Sequence, residues 1–126
     1  MDGKILDLFM KENDAWDDLI SRQCKEIPQL EQMISTIFSR KKNVDEDVTA
    51  SMDLLRNEMH LQQSHMSEIR QHLAQQQDLL AVERKGDRYP VQTLMSQNAL
   101  RERIRDAERK FLDLKCNYLN YLASAV

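Results

Sequence analysis

Three histidines, two cysteines and several clustered carboxylates are the residues of this chain whose types could do chemistry. His60, His65 and His72 lie five and seven residues apart. Two ligands on one helix reach a common ion from positions three or four apart, because only those stack within one turn of each other. His65 and His72 share a face, but at ~1.5 Å rise per residue they are about 10 Å apart. The spacing predicts solvated or seam-flanking histidines and no metal site. Cys24 and Cys116 have no CxxC partner and no glycine-rich loop beside them. Small, buried or half-buried, reduced thiols are the expected state. The Asp45–Glu46–Asp47 cluster lacks the central Gly and terminal Glu of a calcium loop, so helix capping is the expected role. No phosphate-cradling glycine loop and no nucleophile elbow occur. We therefore expect no enzyme, no cofactor and no small-molecule substrate.

The most basic stretch runs from Arg101 to Lys110, but Glu102, Asp106 and Glu108 are interleaved with its cations. Opposite charges three or four apart on a helix pair with each other. A solvated face is expected there, not a nucleic-acid site. The single tryptophan, Trp16, lies near Phe9, Leu19 and Ile20. It is expected to be a core anchor, with docking of a partner as the alternative.

The elements that carry these residues must be helices. Across 126 residues there are only 2 Gly and 2 Pro, too little turn chemistry for an all-β fold. Charged residues make up 31%, with Met, Leu, Gln, Glu, Lys and Arg prominent. The net charge is -3, unevenly spread: residues 1–31 hold four basic and eight acidic side chains, residues 61–126 ten and eight. That balance lacks the electrostatic footprint of a nucleic-acid binder. No run approaches the ~20 apolar residues of a membrane span, and the acidic opening stretch does not read as a signal peptide. An intracellular protein of cytoplasm or nucleus is expected.

Two breaks divide the chain: Lys41–Asp47 and Lys85–Pro90. Gly86 suits a helix end, Arg84 and Lys85 a last turn, Pro90 a first turn, and Asp45 or Asp47 a cap. Helices over about 4–41, 47–85 and 90–125 follow, in one domain spanning 1–126. Pro28 removes a hydrogen bond and crowds the preceding turn, so a kink or a restart of the first helix is expected near it.

The middle segment is the most regular. Met52, Met59, Met66, Leu73 and Leu80 recur every seven residues, with Val48, Leu55, Gln62, Ile69 and Gln76 between them. A buried glutamine weakens such a seam but can fix its register. The run from Gln62 to Gln77 is glutamine-rich, and its other glutamines are expected on the helix surface. In the third segment Ile104, Phe111 and Tyr118 alternate with Leu100, Ala107, Leu114 and Tyr121, while Leu112, Leu119 and Leu122 widen the apolar face. The first segment is less regular, its apolar stripe running from Phe9 through Trp16, Ile20, Ile27 and Leu30 to Phe38.

Two strings carry a family resemblance. Glu68–Gln77, EIRQHLAQQQ, resembles a segment of the coiled-coil nucleoporins of the central transport channel, and Leu114–Tyr121, LKCNYLNY, resembles the last helix of a sister subunit. The resemblance implies a structural subunit that co-assembles with two other coiled-coil chains at the nuclear pore. At the level of fold, Trp16 and three comparable helices also resemble the spectrin-like repeat.

These readings converge on an all-α fold of long amphipathic helices, an antiparallel coiled-coil hairpin or a three-helix bundle. The expected function is a non-enzymatic scaffold or adaptor within a hetero- or homo-oligomer of coiled-coil proteins. Its partner-helix contacts would be Met52, Leu55, Met59, Met66, Ile69, Leu73 and Leu80, with Leu100, Ile104, Phe111, Leu114, Tyr118, Tyr121 and Leu122. The alternative is a self-contained spectrin-like bundle that binds a peptide, a small GTPase or a lipid surface, with nucleic-acid binding through residues 101–110 a distant third.

Overall fold

The computed structural model describes residues 3–40, 46–86 and 90–125. They form three long helices: α1 (Gly3–Ser39), α2 (Glu46–Gly86) and α3 (Pro90–Ala125). Each is roughly 55–60 Å long at ~1.5 Å per residue. α2 carries Glu46 and Asp47 in its first turn and Arg84 and Lys85 in its last, opposite in sign to the partial charges of the helix ends. Pro90 is the first residue of α3, where its missing N–H has no intrahelical partner to lose. A cap from Asp45 lies outside the described residues.

Cross-helix hydrogen bonds fix the directions. Residue numbers rise in α1 as they fall in α2: Asp7 pairs with Arg84, Asp17 with Arg70 and Glu31 with His60. The same inversion joins α2 to α3, through Gln76 with Gln97 and Gln62 with Ala107. α1 and α3 are parallel, because Glu12 meets Arg101 and Glu26 meets Lys115 at one constant separation of 89 residues. All three helix pairs are in contact. The chain is an up-down-up three-helix bundle enclosing its own core.

Buried positions repeat every seven residues in all three helices. In α2 they are the line from Met52 to Leu80 and the alternate line Leu55, Gln62, Ile69, Gln76 and Glu83. In α3, Gln97, Ile104, Phe111 and Tyr118 alternate with Thr93, Leu100, Ala107 and Leu114. α1 is just as regular: Leu6, Asn13, Ile20, Ile27 and Ile34 are buried at intervals of seven, with Gln23 and Leu30 on the second line. The irregularity read from its sequence comes from Asn13 and Gln23, polar residues in core positions.

Four glutamines of the Gln62–Gln77 stretch turn inward. Gln62 and Gln76 are buried in the seam, as their spacing predicts, while Gln63 and Gln77, expected on the surface, are half-buried. Each donates across to a neighbouring helix. Gln62 Nε2 reaches the backbone carbonyl of Ala107 at 2.8 Å. A methyl group at position 107 leaves that carbonyl within reach, so the amide is buried with a partner and avoids a desolvation penalty of roughly 1–3 kcal/mol.

α1 does not stop and restart at Pro28 but runs through it as one helix. Pro28 is exposed, on the side of α1 away from the core. Its missing N–H would have served the carbonyl of Cys24, four residues back. Gln63 of α2 supplies a substitute, donating Nε2 to the Cys24 carbonyl in a long hydrogen bond of 3.5 Å. The two features are expected to be energetically coupled. Gln63→Leu should lower stability by about 1 kcal/mol in the native chain. The loss should be small in a Pro28→Ala background, where the restored backbone N–H serves the Cys24 carbonyl itself. A urea-unfolding double-mutant cycle measures this, and equal losses in both backgrounds would refute the coupling.

Candidate functional site

Side chains able to make polar chemistry gather at one end of the bundle, where α1 and α3 begin and α2 finishes. Gln97 of α3 is fully buried. Its Nε2 donates to Glu12 Oε1 and to Asn13 Oδ1, both at 2.9 Å. Its Oε1 accepts from Gln76 Nε2 at 3.1 Å, and that same Nε2 also reaches the carbonyl of Thr93 at 3.3 Å. Asn13 passes the chain onward, donating to Gln77 Oε1 at 3.2 Å, and Gln77 donates to Asp14 Oδ1 at 3.0 Å. One continuous polar network thus crosses all three helices.

Its charged members are Glu12 and Arg101. Arg101 Nε and Nη2 grip the two carboxylate oxygens of Glu12 at 3.0 and 2.7 Å, and Nη1 holds Asn98 at 2.6 Å. The guanidinium also lies 5.9 Å from the ring centre of Trp16, within range of a cation–π attraction. Burial alone would push the Glu12 carboxyl up, but the hydrogen bonds from Arg101 and Gln97 and the charges of Arg101 and Arg105 hold it below the ordinary range. The hydrogen bond to Glu12 raises Arg101 in turn, against the opposing effect of its burial. Trp16 is half-buried and packs against the core beneath this pair.

The remaining reactive groups are dispersed. His60 lies 2.7 Å from Glu31, His65 lies 3.9 Å from Glu68, and His72 meets Arg103. Cys24 is half-buried and Cys116 exposed, both as free thiols. Burial pushes the Cys24 thiol up, with Arg70 opposing. The Tyr118 hydroxyl is buried without a hydrogen-bond partner. Burial and the nearby Glu31 charge push it up to about 12, Arg56 opposing, so it stays protonated at neutral pH. Among the described residues no group of three or more His, Cys, Asp or Glu is placed to hold a metal ion, and no helix is long and apolar enough to cross a membrane. A groove between α1 and α2 of about 490 Å³ is open to solvent; of its charged groups Asp17 and Arg70 are paired at 3.0 Å, and Asp14 accepts from Gln77.

The residues read as partner-helix contacts lie inside the bundle. Met52, Leu55, Met59, Met66, Ile69 and Leu73 of α2 share one core with Leu100, Ile104, Phe111, Leu114, Tyr118 and Leu122 of α3. Leu80 is also fully buried, and Tyr121 is half-buried against the same core. The helices they meet in this structure are those of the chain itself. Of the widened apolar face of α3, Leu122 is covered, while Leu112 and Leu119 are 48% and 42% exposed. The polar network was missed in the sequence because Asn13, Thr93 and Gln97 read as ordinary surface residues. Their seven-residue spacing from Ile20, Leu100 and Ile104 was the available signal.

The exposed large apolar side chains are also unevenly placed. Glu12 and Glu26 belong to a line of α1 that faces α3, together with Ile5, Leu19 and Met33. Arg101 and Lys115 belong to a line of α3 that faces α1, together with Leu94 and Leu122. Just outside these lines stand Leu8 on α1 and Val91, Leu112 and Leu119 on α3. Among the described residues eleven large hydrophobics are exposed, and seven of them (Ile5, Leu8 and Met33 of α1; Val91, Leu94, Leu112 and Leu119 of α3) flank this one groove. No protein-family model, curated protein or solved structure matches the chain.

The lowered Glu12 carboxyl sets a sign for pH dependence. A group whose folded value is depressed stabilises the fold above its unfolded value, and that contribution is lost as pH falls through the folded value. Glu12→Gln should cost roughly 1–3 kcal/mol at pH 7. The gap between variant and native chain should close as the pH drops below the ordinary carboxylate range. Urea midpoints over a pH series test this, and a gap independent of pH would contradict it.

Proposed function

We propose that the chain is a non-enzymatic scaffold or adaptor subunit that works by helix–helix association, taking a partner's helix into the groove between α1 and α3. The observation that carries this reading is the concentration of exposed apolar side chains along that groove. Two parallel helices with apolar shoulders form a natural seat for a further helix, because ridges of one helix pack into the groove between others. Covering those side chains would contribute roughly 25 cal/mol per Å² of apolar area, and patches of this kind on a folded chain commonly mark interaction sites. The closed core supports a domain that folds first and binds second. An intracellular setting accords with the free thiols Cys24 and Cys116. The nucleoporin-like strings Glu68–Gln77 and Leu114–Tyr121 make the central channel of the nuclear pore the first place to look for the partner.

Leu94→Asp and Leu119→Asp place a charge in the groove, whereas Leu61→Asp places one on the outer side of α2. All three positions are exposed, so each variant should keep its melting temperature within a few degrees. In quantitative affinity capture from cell extract, the first two should lose partners that the native chain and Leu61→Asp retain. Identical partner sets for all four proteins would refute the proposed surface.

A further inference from the structure

A groove between α2 and α3 holds a cation whose charge the packing does not cancel. Four basic side chains that cross from one helix to another meet carboxylates: Arg70 with Asp17, Arg84 with Asp7, Arg101 with Glu12 and Lys115 with Glu26. Arg103 crosses from α3 to α2 and meets the ring of His72 instead. A guanidinium only donates, so the ring nitrogen it meets acts as an acceptor, and the contact cancels none of the charge of Arg103. Both side chains are half-buried. Among the described residues no carboxylate lines the groove around them, which has a volume of about 320 Å³. The nearest acids on the two helices, Glu68 and Asp106, lie a turn beyond the pair, on the side away from the groove. Glu68 is moreover 3.9 Å from His65.

The rest of the groove is largely apolar. Ser96 donates its hydroxyl back to the carbonyls of Gln92 and Thr93 in its own helix. Gln76 gives its amide hydrogens to the Thr93 carbonyl and to Gln97. Leu79, Ala99 and Leu100 supply the remaining wall. Because α2 and α3 are antiparallel, Leu79, seven residues beyond His72, lies level with Ser96, seven residues before Arg103. The cationic end and the apolar end are therefore ~10 Å apart at ~1.5 Å per residue. We infer that this groove binds a small amphiphile, with an oxyanion head, carboxylate or phosphate, on Arg103 and an apolar body of about 10 Å along Leu79, Ala99 and Leu100. A guanidinium suits such a head because it offers two parallel N–H donors to two oxygens. The groove's volume lies at the lower end of the range for small-molecule sites, roughly 300–1,000 Å³. The site is separate from the groove between α1 and α3 and does not rest on the helix-association reading.

Isothermal titration calorimetry of the full chain tests the inference, with every probe kept below its micelle-forming concentration. The probes are octanoate, octyl phosphate, acetate as a head without a body, and octylammonium as the same body with the opposite charge. At least one of the two long-chain anions should bind saturably and at least about ten-fold tighter than acetate or octylammonium. The tighter of the two identifies the head as carboxylate or phosphate. Arg103→Gln should weaken that anion at least about ten-fold while the circular-dichroism melt stays within a few degrees. Leu79→Ser removes part of the apolar wall, keeps the cation, and should weaken the same anion, which keeps the test decisive if Arg103→Gln disturbs the fold. Equal binding of the anions and octylammonium would overturn the site. So would anion binding that both substitutions leave unchanged, or no saturable binding of either anion.

Discussion

The amide of Gln97 sits where the three helices meet, with two hydrogens and one oxygen to place. Glu12 and Asn13 of α1 take the hydrogens, and Gln76 of α2 supplies a donor to the oxygen. A slip of one helix by a heptad would keep most leucines and methionines buried, because every core line repeats at seven. It would strand these amides without partners, at roughly 1–3 kcal/mol for each orphaned group. Apolar repeats drive the collapse, and this polar layer selects one register from the several that apolar packing tolerates. Gln62 reaching the Ala107 carbonyl repeats the device further along the bundle.

That register in turn sets the electrostatics. With α1 antiparallel to α2, the acids on one side of α1 meet Arg70, Arg84 and His60. With α1 parallel to α3, Glu12 and Glu26 fall opposite Arg101 and Lys115. Core packing, charge segregation and the proposed docking face are thus consequences of one alignment.

The sequence revealed the apolar half of this arrangement. Seven-residue spacing in α2 and α3 predicted their buried lines from Met52 to Leu80 and from Leu100 to Tyr118, and the two breaks predicted helix limits within about two residues. The all-α class follows, and the structure resolves its two forms in favour of the three-helix bundle. The polar half was hidden. Asn13, Gln23, Thr93 and Gln97 are buried, yet their residue types read as surface, and only their spacing from apolar neighbours distinguishes them. At Pro28 the restart that the sequence allowed does not occur, for a related reason: the penalty is local, whereas the group that offsets it, Gln63, is 39 residues from Cys24 in sequence. The groove proposed for docking was visible only as surplus leucines on α3, because its other wall belongs to α1 and the parallel pairing appears only in three dimensions.

The alignment of α1 with α3 is therefore the central claim, and chemical cross-linking tests it most directly. In a background with Cys24→Ala and Cys116→Ala, the pair Glu26→Cys and Lys115→Cys should be joined within single chains by a short bismaleimide. The pair Glu26→Cys and Arg101→Cys, offset by about 21 Å along the axis at ~1.5 Å per residue, should not be. Rapid cross-linking of the first pair alone, at concentrations low enough to exclude contacts between chains, is the predicted result. Cross-linking of the second pair in preference to the first would contradict the register, and with it the groove built upon it.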